Sequence, residues 1–179
     1  MPVYDNHVKS ETILVSSALE LNTPSKDIGD NTASVFKSVR HGFRVGKINL
    51  LIKEGIVSEV IDHLLPYRLP HLPKWMLGLL NIRGDMIPLF DLNILLGESN
   101  DKKAKRKIQK YGLILGQRHE AIAIVLESFP IVISQQWEKI SKPNLDERLQ
   151  PYVSQAYLAD DEVWFEFDYE ELFFNLVKS

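Results

Sequence analysis

The sequence predicts a mainly β fold made of two compact barrels within one domain. Three observations carry this expectation. Short apolar runs of strand length recur from His41 to the C-terminus, separated by turn formers. Helical periodicity is confined to a few brief segments. A charged connector, ESNDKKAKRKIQK at 98–110, divides the strand-forming runs into two sets, as two small β lobes in one chain require.

Taken in order, residues 1–38 read as an N-terminal extension and linker, and 39–179 as the folded domain. Within the extension, TILVSSALEL has the makings of a short helix, and NTPSKDIGDNTAS is rich in turn formers. GFRV and INLLI flank Gly46-Lys47, a two-residue hairpin turn with glycine first. IVSEVID is extended. LLPYRLPHLP carries three prolines, which oppose helix and ladder alike, so it reads as an extended surface loop. LGLLNI and MIPLFDL are two strands joined through Arg83-Gly84-Asp85, and Asp91 caps a brief helix that stops at Gly97.

After the connector, YGLILGQRHEAIAIVLESF forms a second hairpin with Gly116-Gln117-Arg118 at its tip. Residues 135–158 show mixed signals, and Asn144 with Glu147 suits a capping box for a short helix ending near Pro151. YLADDEVWFEFD is a third hairpin turning at Asp160-Asp161, with Val163, Phe165 and Phe167 on one face. A closing helix, YEELFFNLV, is capped by Asp168.

Composition bounds the function. The chain has 179 residues, 45% apolar and 25% charged, with a net charge of −3. That is ordinary for a soluble globular protein and gives no global pull toward nucleic acid or anionic membrane. Cysteine is absent, which excludes disulfides and thiolate metal sites and suits a reducing cytoplasm. Lys74, Arg83 and Asp85 interrupt the longest apolar stretch, so no membrane span is expected. Asp5 and Glu11 precede only a short apolar piece, so the N-terminus does not read as a secretory signal.

Catalytic patterns are missing. His7, His41, His63, His71 and His119 include no pair at the i, i+4 spacing of a helical zinc site. There is no G-x-S-x-G, phosphate loop or dinucleotide fingerprint. Asp160-Asp161 and Glu170-Glu171 fall at a turn and a helix start, where solvated charge is the plain reading. No cofactor or metal is expected, and the chain is not expected to be an enzyme. The basic run KKAKRKIQK at 102–110 is the one nucleic-acid feature; it lacks interleaved aromatics, so a solvated connector is the better reading. A small β-barrel nucleic-acid binder stands as the alternative function.

Arg83 is the outlier, a charge at the centre of the apolar stretch LPHLPKWMLGLLNIRGDMIPLFDLNILLG. Two roles fit it equally well. In one, its stem lies over apolar neighbours and its head reaches solvent or pairs with Asp85 or Asp91. In the other, it projects from a rigid hairpin and grips a partner's carboxylate or carbonyls with its planar fork. Gly84 serves both by allowing a tight turn.

The stretch LPKWMLGLLNIRGDMIPLFDL resembles the core signature of the CheW-like domain. Pro73, Trp75, Gly78, Asn81-Ile82-Arg83-Gly84, Pro88 and Asp91-Leu92 meet the family's pattern in order. FRVGKINLLIKEGIVSEVI resembles the family's opening hairpin and its Val-x-Glu step, here Val57 and Glu59 followed by Val60. LILGQRHEAIAIVLES and DEVWFEFDYEELF resemble its later hairpin and its closing strand and helix. The departures are Ala123 and Glu127, where the family commonly has Gly and Asp, the lack of a Tyr-Gly pair at 46–49, and the N-terminal extension. They are similar to what divergent, PilI-like adaptors of type IV pilus (twitching) signalling show.

The resemblance implies two five-stranded SH3-like barrels. It also implies a non-catalytic adaptor between the cytoplasmic tip of a methyl-accepting chemotaxis receptor and the regulatory domain of a CheA-type histidine kinase. Arg83, Val57, Glu59, Asn81 and Gly84 would then form the receptor-binding site, with Arg83, Val57 and Glu59 in a groove between the lobes. The adaptor would be cytoplasmic, recruited to membrane-associated receptor arrays without inserting into the bilayer.

Overall fold

The computed structural model describes residues 35–97 and 110–178. Ten strands and two short helices follow in the order β1 (Val35–Val45), β2 (Ile48–Ile52), β3 (Ser58–Ile61), β4 (Met76–Ile82), β5 (Asp85–Phe90), α1 (Leu92–Leu95), β6 (Tyr111–Leu115), β7 (Ile122–Leu126), β8 (Ile131–Ile140), β9 (Val153–Ala159), β10 (Glu162–Phe167) and α2 (Tyr169–Lys178). The mainly β class is as expected. Lobe 1 is a closed barrel in the order β1-β2-β10-β9-β8, and lobe 2 is a five-stranded sheet in the order β3-β6-β7-β5-β4. Lobe 2 is thus inserted between β2 and β8 of lobe 1.

Lobe 2 curls around its own apolar cluster of Ile61, Leu80, Ile87, Leu89, Ile114, Ala121, Ala123 and Val125, drawn from all five of its strands and the turn before β7. Its ladder does not close as lobe 1 does, because β3 and β4 stand at opposite ends of the sheet. Tyr67, in the loop between β3 and β4, pairs with the outer edge of β4: its N–H donates to Leu79 O (2.8 Å) and its carbonyl accepts from Leu79 N (3.0 Å). The proline-rich loop is therefore not wholly outside the ladder. Gly78 lets it approach: its φ is +136°, and a Cβ there would meet Tyr67 O at 2.3 Å.

A larger cluster joins the lobes. Phe43, Val45, Leu50, Ile52, Phe165 and Phe167 of lobe 1 pack with Val60, Phe90, Leu113, Leu115, Ile122, Ile124 and Leu126 of lobe 2. β7 is buried on both faces, which explains its unbroken apolar sequence IAIVL. A third cluster, with Leu51, Ile133, Trp137 and Trp164, belongs to lobe 1 alone.

Several local expectations are met. Val45 pairs Ile48 around Gly46-Lys47. Asp160 and Asp161 both take positive φ, 46° and 60°, in the β9–β10 turn, as a type I′ hairpin requires. Asp91 Oδ1 accepts from Asn93 N (3.1 Å) and Ile94 N (3.3 Å) at the start of α1. Asp168 Oδ1 accepts from Glu171 N at 3.1 Å at the start of α2.

Others are corrected. β1 begins at Val35 and pairs with β8 from that residue, so the first strand reaches into the segment read as extension. Residues 131–140 form one long strand where the sequence gives mixed signals. No capping box forms at Asn144 and Glu147. Asp146 instead accepts from Arg148 N and Nε, both at 2.9 Å, making a turn that leads into a single 3-10 turn at Gln150–Tyr152. The helix expected within 12–21 and the basic run at 102–109 lie outside the described residues.

Two predictions follow from these contacts. Gly78→Ala forces a side chain into positive φ and against the Tyr67 carbonyl; urea denaturation should show a loss of about 2 kcal/mol or more. Gly55, at φ +82° with open space around it, should lose only about 1 kcal/mol on the same change. Tyr169 gives a pH prediction. Burial first, then the charge of Glu170 and its hydrogen bond, then Glu120 and Asp168, push the phenol from 10.0 up to about 12. The folded chain keeps this proton where the unfolded chain loses it. The contribution is therefore complete below pH 10 and lost as pH rises toward 12. Denaturation midpoints across that range should fall more steeply for the native chain than for Tyr169→Phe.

Candidate functional site

The five expected site residues come together at one end of lobe 2. On β3, Glu59 shares a face with Ile61, which belongs to the lobe-2 core. Val57, two residues before Glu59, continues that row outward and is exposed. Its carbonyl accepts from Gly116 N at 2.9 Å, which holds it against the end of β6. Across the seam, β4 and β5 turn at Arg83-Gly84, between the paired Ile82 and Asp85. Arg83 has φ 53° and Gly84 φ 94°, the signature of a type I′ hairpin turn.

Holding a non-glycine residue at that φ costs about 1 kcal/mol. Two side-chain contacts offset it. Asn81 Oδ1 accepts from Gly84 N at 3.0 Å and fixes the turn. Arg83 Nη2 donates to Glu59 Oε1 at 2.9 Å. Glu59 is thus a partner of Arg83 that the sequence reading did not name. Asp91 is buried, caps α1 and pairs with Lys110 at 3.5 Å.

The Arg83–Glu59 pair links the turn beside one edge strand to the other edge strand, so it spans the open seam of lobe 2. The two partners are unequally covered: the Arg83 side chain is 63% exposed and that of Glu59 13%. The guanidinium is therefore reachable from solvent, and the largely covered Glu59 fixes its position. Chemically, the arrangement offers a positioned, solvent-reachable guanidinium on Glu59, with exposed Val57 two residues before Glu59 in the chain. It can recognise a carboxylate or carbonyl next to an apolar side chain.

Asp160-Asp161 form a turn, and Glu170 and Glu171 lie in the first turn of α2. Among the described residues, no three His, Asp or Glu side chains gather where a metal ion would sit. No helix among them is long and apolar enough to cross a membrane.

The fold is a two-lobed β module with a charged turn set at the seam of one lobe. The CheW-like domain family matches residues 41–176, and the chain belongs to that family. The chain is similar to the "Probable chemotaxis protein CheW" of Rhizobium etli, 25% identical over 121 residues that cover 66% of this chain and 76% of that protein. Its fold is similar to the crystal structure of the scaffolding protein TtCheW from Thermoanaerobacter tengcongensis. The TM-score is 0.55 at 18% identity, over 74% of this chain and 89% of the other. Proteins of this family are scaffolding adaptors of chemotaxis signalling and not enzymes.

The Arg83–Glu59 pair is partly exposed, so it should stabilise the fold only slightly. A double-mutant cycle with Arg83→Ala and Glu59→Ala, read by chemical denaturation, should give a coupling of about 1 kcal/mol or less. A much larger coupling would make the pair a structural latch first.

Proposed function

We propose that this chain is a non-catalytic signalling adaptor that couples the cytoplasmic tip of methyl-accepting chemotaxis receptors to the regulatory domain of a CheA-type histidine kinase. The observation that carries this reading is the seam site: Arg83, at a strained turn fixed by Asn81, is positioned by Glu59 and remains largely exposed, and Val57 is exposed near the start of the Glu59 strand. Strain kept at an exposed charge is better explained by contact with a partner than by stability.

In this reading a receptor helix lays its apolar face on Val57 and brings a carboxylate or backbone carbonyl to Arg83, which sets the register. Glu59 holds the guanidinium in place before the receptor arrives, which reduces the ordering cost of binding. Gly84 and Asn81 fix the turn that presents it. The kinase occupies a separate surface. The adaptor acts in the cytoplasm and is recruited to membrane-associated receptor arrays without entering the bilayer. Its output is swimming chemotaxis or, by its likeness to PilI-type adaptors, type IV pilus twitching, according to the array it joins.

The test is binding of purified chain to a receptor-tip fragment and, separately, to the kinase regulatory domain. Arg83→Ala should weaken receptor binding by about tenfold or more, the worth of a charge-assisted hydrogen bond. Kinase binding and the thermal midpoint should stay nearly unchanged. Equal loss of both partners, or none of either, would contradict the assignment.

A further inference from the structure

Tyr169 opens α2, which follows β10 of lobe 1, yet its ring reaches the end of β6 in lobe 2. It is 5% exposed and packs in the core shared by the lobes. The ring lies against Gly116, where the chain leaves β6. A Cβ at Gly116 would stand 2.7 Å from the phenol oxygen, 3.2 Å from Cε2 and 3.1 Å from the Glu120 carbonyl oxygen. Gly116 also has φ +87°, so both backbone and space call for glycine there.

That glycine holds the edge of the candidate site. β3 and β6 pair from Ile61 opposite Gly112 to Ser58 opposite Leu115. The next rung is the bond from Gly116 N to Val57 O at 2.9 Å. It ties down the residue that continues the row of Glu59 and Ile61. A rung at the end of a ladder opens readily when water can compete for it. A buried ring set against its donor residue excludes that water and strengthens the bond.

We infer, on the reading that the seam site binds the receptor, that Tyr169 is a positioning residue for it: the ring keeps the Gly116–Val57 rung formed and so fixes where Val57 is presented. The base of the ring is itself held. Asp168 caps α2 through Glu171 N at 3.1 Å. Leu172, one turn further on, is fully buried. The phenol O–H donates to Glu170 Oε1 at 3.4 Å. Lobe 1 thereby steadies a contact residue on lobe 2.

The test compares the full native chain with Tyr169→Leu, Val57→Ala and the double variant. Amide exchange is followed in the free chain, and affinity is measured for a receptor-tip fragment and for the kinase regulatory domain. Tyr169→Leu should speed exchange of the Gly116 N–H about tenfold or more, with Leu113 and Ile124, paired in mid-sheet, near their native rates. Receptor affinity should fall about threefold or more, and kinase affinity should hold. Added to Val57→Ala, Tyr169→Leu should cost no further receptor affinity. Tyr169→Phe, which keeps the ring edge on Gly116, should retain most of it.

Unchanged exchange at Gly116, or losses that add to those of Val57→Ala, would overturn the role. So would exchange rising throughout both lobes with both partners lost, since Tyr169 would then only fill the core. Arg83→Ala separates the two assignments. If it weakens receptor binding and Tyr169→Leu does not, the receptor site stands and Tyr169 does not position it. If the native chain binds no receptor tip, or Arg83→Ala changes nothing, the receptor site itself is lost and the role of Tyr169 goes with it.

Discussion

The apolar core shared by the two lobes is the constraint on which the rest depends. Lobe 2 enters the chain between β2 and β8, so lobe 1 is assembled from two segments that flank it. Phe43, Phe165 and Phe167 from one lobe and Ile122, Ile124 and Leu126 from the other bury one another almost completely. Each such side chain is worth about 1.5–3 kcal/mol, against about 0–1 for an exposed ion pair. The relative position of the lobes is therefore set by packing rather than by surface charge.

That division of labour explains the apolar run around Arg83. β4 and β5 supply Leu80, Ile87 and Leu89 to the lobe-2 core, so the strands that present the turn are fixed at their inner face. A turn on such strands can hold an arginine within narrow limits. Asn81 locks the backbone and Glu59 aims the side chain. Arg40 shows the opposite use of the same residue type. It is buried in lobe 1, ion-paired to Glu166 at 2.5 Å and set over the Tyr157 ring, where a guanidinium serves structure.

Much of this was legible in the sequence, because short-range rules govern it. The three hairpin turns, the caps at Asp91 and Asp168, and the turn at Arg83-Gly84 depend on residues a few positions apart. The strand at 131–140 was not legible. Its well-buried residues are Ile133 and Trp137, four apart, among Ser134, Gln135 and Gln136, so no period-two pattern stands out. Its pairing with β1 and β9 makes it a strand. The start of β1 was hidden similarly, since Lys37 and Val39 face outward while Arg40 faces in. Asn144 and Glu147 have capping spacing, but Asp146 captures Arg148 first. The site residues were all named from the sequence, yet the pairing of Arg83 with Glu59 was not. It joins strands at opposite ends of a sheet, and only the curl of lobe 2 brings them together.

An adaptor must hold both partners at once, and that is the central claim. Sedimentation velocity of the purified chain mixed with a receptor-tip fragment and a kinase regulatory domain tests it most directly. The account predicts a ternary species, larger than either binary complex, with the chain at its centre. If each partner displaces the other and only binary complexes sediment, the chain is a shared target of two competing proteins and not the bridge between them.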